Sequence, residues 1–482
     1  MNFLDRALSV VAPGAALQRA RNRMALSVLT GATARYDAAT PGARGKSWNP
    51  TASDADAAAA GQRARLSFVA RDMIRNTAFA VRGQQVIVNN VVGDGIIPKV
   101  VTKDKATRDA LLSVIEDHLD TTSIDASGRN NLYGLQRLAM NTIVDSGEVI
   151  IRRRMRRRGD GLALPFQLEV LEPDYLDTTM SGRLRNGNEV IEGIEFNEIG
   201  KRVAYYLHKD HPGNYGYRSS RESSRVDASN ILHIFRQDRP GQKRGVSWFA
   251  PIAMNLQDMA DHQDAQLMRQ KIAACFAAFR VSLDGDPLDG DATGLSQSLI
   301  PGRIQQLAPG EDIRFASPPG VESYDEFTRS VLRAVAAGLG VTYEALTGDL
   351  SNVNFSSARM GRMEMDRNIS TWQWTMLVPQ MLQPIGKWVV DDWMLINQRF
   401  IPGVKLEWVP PHRILVDPTR EIPALGKKVS LGLASRSSVI REMGYDPERV
   451  IEEIKKDADE EKQLGLRFET SVFEQEEITP DE

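Results

Sequence analysis

The sequence predicts an α+β chain: a strand-rich mixed region, two long helices around a small α/β insertion, then a kinked long helix and a helical end. Three observations carry this reading. Residues 148–235 read as short strands, residues 247–279 hold no proline except Pro251 in a first helical turn, and residues 356–397 stay helical in pattern across Pro379 and Pro384. A length of 482 residues, with 42% hydrophobic and 26% charged side chains, allows a substantial core and excludes a mainly disordered, collagen-like or coiled-coil chain.

Each element follows from local pattern. Residues 31–61, rich in Ala, Gly, Asp, Thr and Pro, read as a surface arm. From 61 to 92 the pattern turns helical through Leu66, Val69, Met73, Ile74, Val81, Val86 and Val88, and GDGIIP stops it. Helices over 103–119 and 133–146 precede strands in EVIIRRRMRRR, PFQLEVLEPDYLD, EVIEGIEFNEIGKRVAYYLHK and NILHIFRQD. Trp248, Ile252, Leu256, Met259 and Leu267 then mark one helix over 247–279, about 50 Å long at 1.5 Å per residue. Its polar middle, NLQDMADHQDAQ, suits a partner subunit or a solvent-filled lumen. LDGDPLDGDATG is an acidic loop, and GRIQQL and EDIRFA, joined at APG, read as a hairpin. A helix over 324–339 returns, TGDLSNVNFSS interrupts it, and the helix over 356–397 is expected to kink at Pro379 and Pro384. VKLEWVPP is a short strand, and the C-terminal region is helical with an acidic end.

Charge narrows the function classes. The 60 basic and 63 acidic side chains leave a formal net charge of -3, which argues against a protein that coats phosphate backbones. The ends are opposite in sign: residues 1–82 carry 12 Lys/Arg against 5 Asp/Glu, and residues 446–482 carry 5 against 14. A single cysteine, Cys275, reads as a packed thiol and excludes an intramolecular disulfide. No membrane span is expected, and Pro13-Gly14 followed by Arg19, Arg21 and Arg23 argues against an export signal.

Chemical motifs are few. TPGARGKS approaches a phosphate-binding loop, but Thr40 replaces the first glycine and Trp48-Asn49-Pro50 follows where a helix should start. Asp284, Asp286, Asp289 and Asp291 resemble a calcium loop, yet Asp289 occupies the turn-glycine position and Leu295 that of the bidentate glutamate. His208 and His211 have no carboxylate partner at useful spacing, so neither metal nor cofactor is assigned. No nucleophile, base or zinc constellation is visible, and no catalytic residue is assigned. Six arginines between Arg152 and Arg158 could contact phosphates, but strand alternation puts only half on one face; pairing with acids such as Glu148 and Glu169, or with a neighbouring subunit, is the competing expectation.

Together GEVIIRRR, LEPDYLD, GIEFNEIGKRVAYYLHKDHPG, ILHIFRQDRPGQKRGVSWFAP and GLGVTYEALTGDLSNVNFSSAR resemble the portal proteins of tailed bacteriophages, of the lambda-like branch, in order from about Arg63 to Asp446. The resemblance implies a homo-oligomeric ring of twelve subunits at one capsid vertex, around a channel for double-stranded DNA in packaging and ejection. It divides the chain into an N-terminal arm (1–60), a wing (61–245), a first stem helix (246–279), a clip (280–321), a second stem helix (322–346), a tunnel loop (347–357), a kinked helix returning to the wing (358–418), and a crown with an acidic tail (419–482).

The implied DNA-facing groups are Asp349, Ser351, Asn352, Asn354 and Ser356 in the tunnel loop. Neutral hydrogen bonds there let a duplex slide, whereas a lysine ring would hold it. The clip, with Asp284, Asp286, Asp289, Arg303, Gln305 and Glu311, would meet the terminase large subunit and later the head-completion or adaptor proteins. The wing would meet the major capsid protein and scaffold, in the virion or in the host cytoplasm during assembly. Two other readings stand beside this one: a nucleic-acid-processing packaging enzyme, and a minor capsid or scaffold protein without a channel.

Overall fold

The computed structural model describes residues 52–214, 222–274, 278–282, 311–315, 324–351, 353–411 and 417–464, with residues 14, 18, 21 and 22. It falls into two units, Met1–Ala58 and Ala59–Glu482. At the end of the first, α1 (Ala55–Ala59) starts where the Asp54 carboxylate accepts from the Ala57 N–H at 2.7 Å.

In the second unit, the helical stretch expected over 61–92 is two helices, α2 (Arg63–Asn76) and α3 (Ala78–Val91). Thr77 between them is extended, at φ -119 and ψ 120, a conformation a β-branched residue adopts readily. β1 (Ile97–Val101) follows, then α4 (Lys105–Val114), capped by Asp104 accepting from the Thr107 N–H and ending in one π-turn, Ile115–Leu119. Asn131 caps α5 (Leu132–Ser146) in the same way.

α5 stops at Gly147, whose φ of 88 releases the chain directly into β2 (Glu148–Met155). β2 lies between β3 (Phe166–Leu171) and β9 (Ile231–Phe235), antiparallel to both, with Arg152 opposite Glu169 and Ile231. A meander of β4 (Gly182–Arg183), β5 (Glu189–Ile191), β6 (Ile194–Phe196), β7 (Arg202–His208) and β8 (Ser223–Asp227) forms a second sheet. Alternation along β2 makes it the shared wall of two cores. Val149 and Ile151 join the main cluster with α3 and α5, while Ile150 joins Leu171, Ile194, Tyr205 and Leu207 between the sheets.

The first long helix, α6, spans Ala253–Ala274, shorter at both ends than the 247–279 expected. At its start, Pro251 offers no N–H and the chain makes tight turns instead, Ala250 N–H to Ser247 O and Ile252 N–H to Phe249 O. At its far end, β10 (Ala278–Ser282) pairs antiparallel with β11 (Glu311–Phe315). EDIRFA is thus a strand as expected, with Ala278–Ser282 opposite; GRIQQL lies outside the described residues.

α7 (Tyr324–Leu339) returns beside α6 as expected, and the two approach so closely that a Cβ on Gly338 would stand 2.3 Å from Ile252 Cγ2. After α8 (Tyr343–Thr347), one continuous helical path runs from Phe355 to Asn397: α9 (Phe355–Trp372), a π-helical run (Gln373–Leu382) and α10 (Gln383–Asn397). Pro379 falls inside the π run, where a wider turn accommodates its missing donor, and Pro384 sits in the first turn of α10, where no donor is required. β12 (Lys405–Val409) pairs antiparallel with β1, carrying the chain back to the first domain half. Three helices close the described chain, α11 (Pro418–Ser430), α12 (Arg436–Glu442) and α13 (Pro447–Leu464). No helix among the described residues is long and apolar enough to cross a membrane.

Candidate functional site

The loop between α8 and α9 is ordered by its own polar side chains. Thr342 caps α8, and Gly348, at φ 73, ends it after one turn. The Asp349 carboxylate then accepts from the Ser351 N–H at 3.0 Å and the Ser351 hydroxyl at 2.6 Å. These bonds hold the Asp349 carboxyl below the usual carboxylate range, so the loop carries a negative charge at neutral pH. Asn354 caps α9: its side chain accepts from the Ser357 N–H at 2.9 Å, and the Ser357 hydroxyl accepts from the Asn354 N–H at 3.2 Å. Leu350, Ser351, Asn354 and Ser356 are exposed, and Asp349 is half-buried. Asn352 lies outside the described residues.

Of the insertion's residues, Asp284, Asp286, Asp289, Arg303 and Gln305 lie outside the described residues, and Glu311 opens β11. Cys275 and the TPGARGKS stretch also lie outside them.

Of the six arginines after Ile151, Arg152, Arg153 and Arg154 lie in β2 and alternate between its faces. Arg153 reaches Asp392 on α10 at 2.6 Å and lies over the rings of Phe166 and Trp388, at 4.9 and 5.1 Å. Arg154 pairs with Glu169 at 3.0 Å, and the Arg156 Nε donates to Gln167 Oε1 at 2.7 Å. Glu169 is therefore a partner as expected, but Glu148 is not. Glu148 points into the protein and accepts instead from Arg244 Nε at 2.8 and 3.0 Å, from Arg244 Nη2, from His233 Nε2 at 2.9 Å and from the Gly245 N–H at 2.8 Å. Glu148 and Ile150 share one strand face with Arg152, and this polar end of the face is closed by a residue 96 positions away, beyond the reach of any local pattern.

This buried cluster is the polar residue set that sequence reasoning missed. Burial alone would raise the Glu148 carboxyl, but the Arg244 charge and the His233 hydrogen bond outweigh it and hold the carboxyl well below its ordinary range. Burial pushes His233 down, keeping the imidazole neutral with Nε2–H donating; Nδ1 has no partner among the described residues. Arg244 also meets Glu192 at 3.2 Å, and Arg63 meets Glu192 at 2.6 Å, so a run of charges from Glu148 through Arg244 and Glu192 reaches Arg63 on α2. Steric limits seal the join: a Cβ on Gly147 would lie 2.2 Å from the Val246 carbonyl carbon, and one on Gly245 would lie 2.2 Å from Gly147 O. Gln242 folds the loop beneath, accepting from the Asp238 and Arg239 N–H groups and donating to Arg244 O. Trp248 packs against Trp372 with centroids 4.8 Å apart and planes tilted by 52°, and takes Arg236 over its ring at 4.6 Å. The sequence carries this cluster in two separate places, the GE of GEVIIRRR and the KRG of ILHIFRQDRPGQKRGVSWFAP.

His211 differs from expectation, since Glu172 does stand 3.0 Å from its Nε2. Glu172, Asp174 and His211 converge, but the Arg71 guanidinium already sits against Asp174 at 2.5 Å and supplies the positive charge.

Comparison with known proteins places this geometry. The family described as "Phage portal protein, lambda family" matches residues 41–373. A "Probable portal protein" of Halomonas phage phiHAP-1 is 28% identical over 426 residues, 82% of this chain and 80% of the relative. "Portal protein B" of Escherichia phage lambda is 22% identical over 481 residues, 88% of each chain. Among solved structures, a chain from the virion of a native gene transfer agent particle aligns with a TM-score of 0.49 and 15% identity, covering 83% of this chain and 96% of that one.

Proposed function

The chain belongs to the lambda family of phage portal proteins, and from that membership we propose that it forms a homododecameric ring at one capsid vertex. Double-stranded DNA passes through the ring, sequence-independently, during packaging and ejection. The observation that carries this reading is the family match, which runs unbroken through the strand-rich region, both long helices and the loop over 347–357.

In this reading the sheets and helices over 61–245 are the wing, meeting capsid protein and scaffold. α6 and α7 are the stem, and β10 with β11 lies in the clip, where the terminase large subunit docks first and the head-completion or adaptor proteins later. The loop over 347–357 faces the channel and α11 to α13 form the crown. The loop's chemistry supports passage without capture: Ser351 and Ser356 offer neutral hydrogen bonds, and an ionised Asp349 repels phosphate. The terminase, not this chain, hydrolyses the nucleotide.

Negative-stain imaging of the purified chain, beside native mass measurement, tests this. Rings with a central hole and a mass near twelve subunits are the expected result. Compact monomers or dimers at every salt concentration would refute it.

A further inference from the structure

The C-terminal helices are attached to the rest of the protein in an unusual way. Among the described residues, no hydrophobic side chain beyond Val409 is buried, and Pro447 is the only buried residue in α11, α12 and α13. Ile422, Ile451, Ile454 and Leu464 on these helices are exposed, as are Leu431 and Leu433 after α11, while Leu425, Val429, Val439, Ile440 and Val450 are half-buried. The tie to β1 and α4 is ionic. Lys99 Nζ on β1 stands 3.2 Å from Asp446 and 3.4 Å from Glu448. Arg108 on α4 meets Glu448 at 3.0 Å and Glu452 at 2.9 Å. The two cations are 13% and 20% exposed and Asp446 25%, whereas Glu448 and Glu452 are 52% and 63% exposed, so water and salt reach the Glu448 and Glu452 pairs from the acidic side. A longer pair, Arg359 to Glu421 at 4.0 Å, joins α9 to α11.

We propose that Lys99 and Arg108 with Asp446, Glu448 and Glu452 form an electrostatic latch, and that its opening releases the C-terminal helices from the wing as one movable part. A joint made by apolar burial strengthens or holds as salt rises, whereas one made by exposed ion pairs weakens. The latch also governs a second feature. A cleft of about 710 Å³ lies between α9, with Arg359 and Met363, and the C-terminal helices, with Glu421, Leu425, Lys428 and Met443. Trp374 stands in its wall, already 52% exposed. Opening the latch removes the far wall and leaves the indole fully in water.

Spin labels at Leu112→Cys and Ile454→Cys, in full-length chain carrying Cys275→Ser and diluted with unlabelled subunits, report the distance between α4 and α13. The closed latch gives one narrow distance at about 0.05 M salt, and about 0.5 M salt shifts the population toward a longer, broader one, by about tenfold for a few exposed pairs. Lys99→Glu with Arg108→Glu, or Glu448→Arg with Glu452→Arg, opens it at low salt, and the four changes together close it again. Acrylamide quenching of tryptophan rises with opening, and this rise is absent in Trp374→Phe. A distance that ignores both salt and charge reversal overturns the latch, as does a reversed set that stays open while each half-set is folded.

Discussion

Replacing Arg244 with alanine is expected to cost about 3–5 kcal/mol of stability. Its side chain is 4% exposed and is the cation in contact with Glu148, itself 2% exposed. After the change Glu148 keeps His233 at 2.9 Å and the Gly245 N–H at 2.8 Å, both neutral donors. Removing one member of a buried pair costs about 3–5 kcal/mol, because the remaining charge stays out of water without compensation. For a cooperative unit of wing size that corresponds to a fall of about 6–20 °C in melting temperature. Thermal unfolding by circular dichroism at pH 7.5 measures it, and the double change Arg244→Met with Glu148→Leu is expected to recover much of the loss, since it removes both charges together. The pH dependence follows from the sign of the shift. The Glu148 carboxyl is depressed in the folded state, so its contribution is complete above the ordinary value of about 4.3 and is lost as pH falls below it. The penalty of Arg244→Ala therefore shrinks on acidification. A melting temperature within about 2 °C of the parent at pH 7.5 would refute the reasoning.

Three further outcomes follow from the same kind of accounting. Burial pushes His118 down to about 4, with its Nε2–H donating to Phe166 O at 3.0 Å, so stability present above the ordinary histidine value of 6.5 is lost as pH falls toward 4; His118→Gln flattens that slope in urea titrations at pH 7 and 5. Burial raises Asp145 to about 7 despite Ser146 and Arg71, so its folded form is favoured below the unfolded value of 3.8 and that advantage is lost as pH rises through about 7; Asp145→Asn raises the melting temperature by several degrees at pH 8 and leaves it unchanged at pH 4. Asn354→Ala removes the cap of α9 and costs about 1 kcal/mol, while Asn354→Ser costs little, as faster hydrogen exchange in the first turn of α9 would show for alanine alone.

Elements with a long, one-sided pattern were legible in the sequence. α7 has the bounds read from the sequence, and the helical path to Asn397 was foreseen with its disturbance near Pro379. The ends of α6 were not legible. An apolar period continues through Trp248 and Ile252 although Pro251 and the packing of Trp248 on Trp372 keep that stretch in turns. The break at Thr77 was hidden for a similar reason, since both flanking helices bury apolar residues and only one backbone conformation separates them. In the loop over 347–357, the residue types read as DNA-facing are also turn and cap formers. Asp349 and Asn354 fold the loop, and that role uses the acceptors that the sequence presented as free.

The two distinctive segments, GEVIIRRR and RPGQKRGVSW, meet at one point, where Gly147 and Gly245 let Glu148 and Arg244 touch. That join ties three elements. Glu148 opens the strand shared by both cores, Arg244 reaches the second sheet through Glu192, and Trp248 four residues later packs on the long helical path before α6 begins. A glycine on each side is required because the two backbones are in contact, and the buried Glu148 charge is compensated by Arg244 beside it. Their contact joins the start of β2 to the turns that precede α6. The C-terminal helices are the opposite case: their pairs with β1 and α4 include the exposed Glu448 and Glu452, whereas the Glu148–Arg244 pair is buried. The Glu148–Arg244 join is therefore expected to keep its geometry as salt changes, and the proposed latch is expected to open.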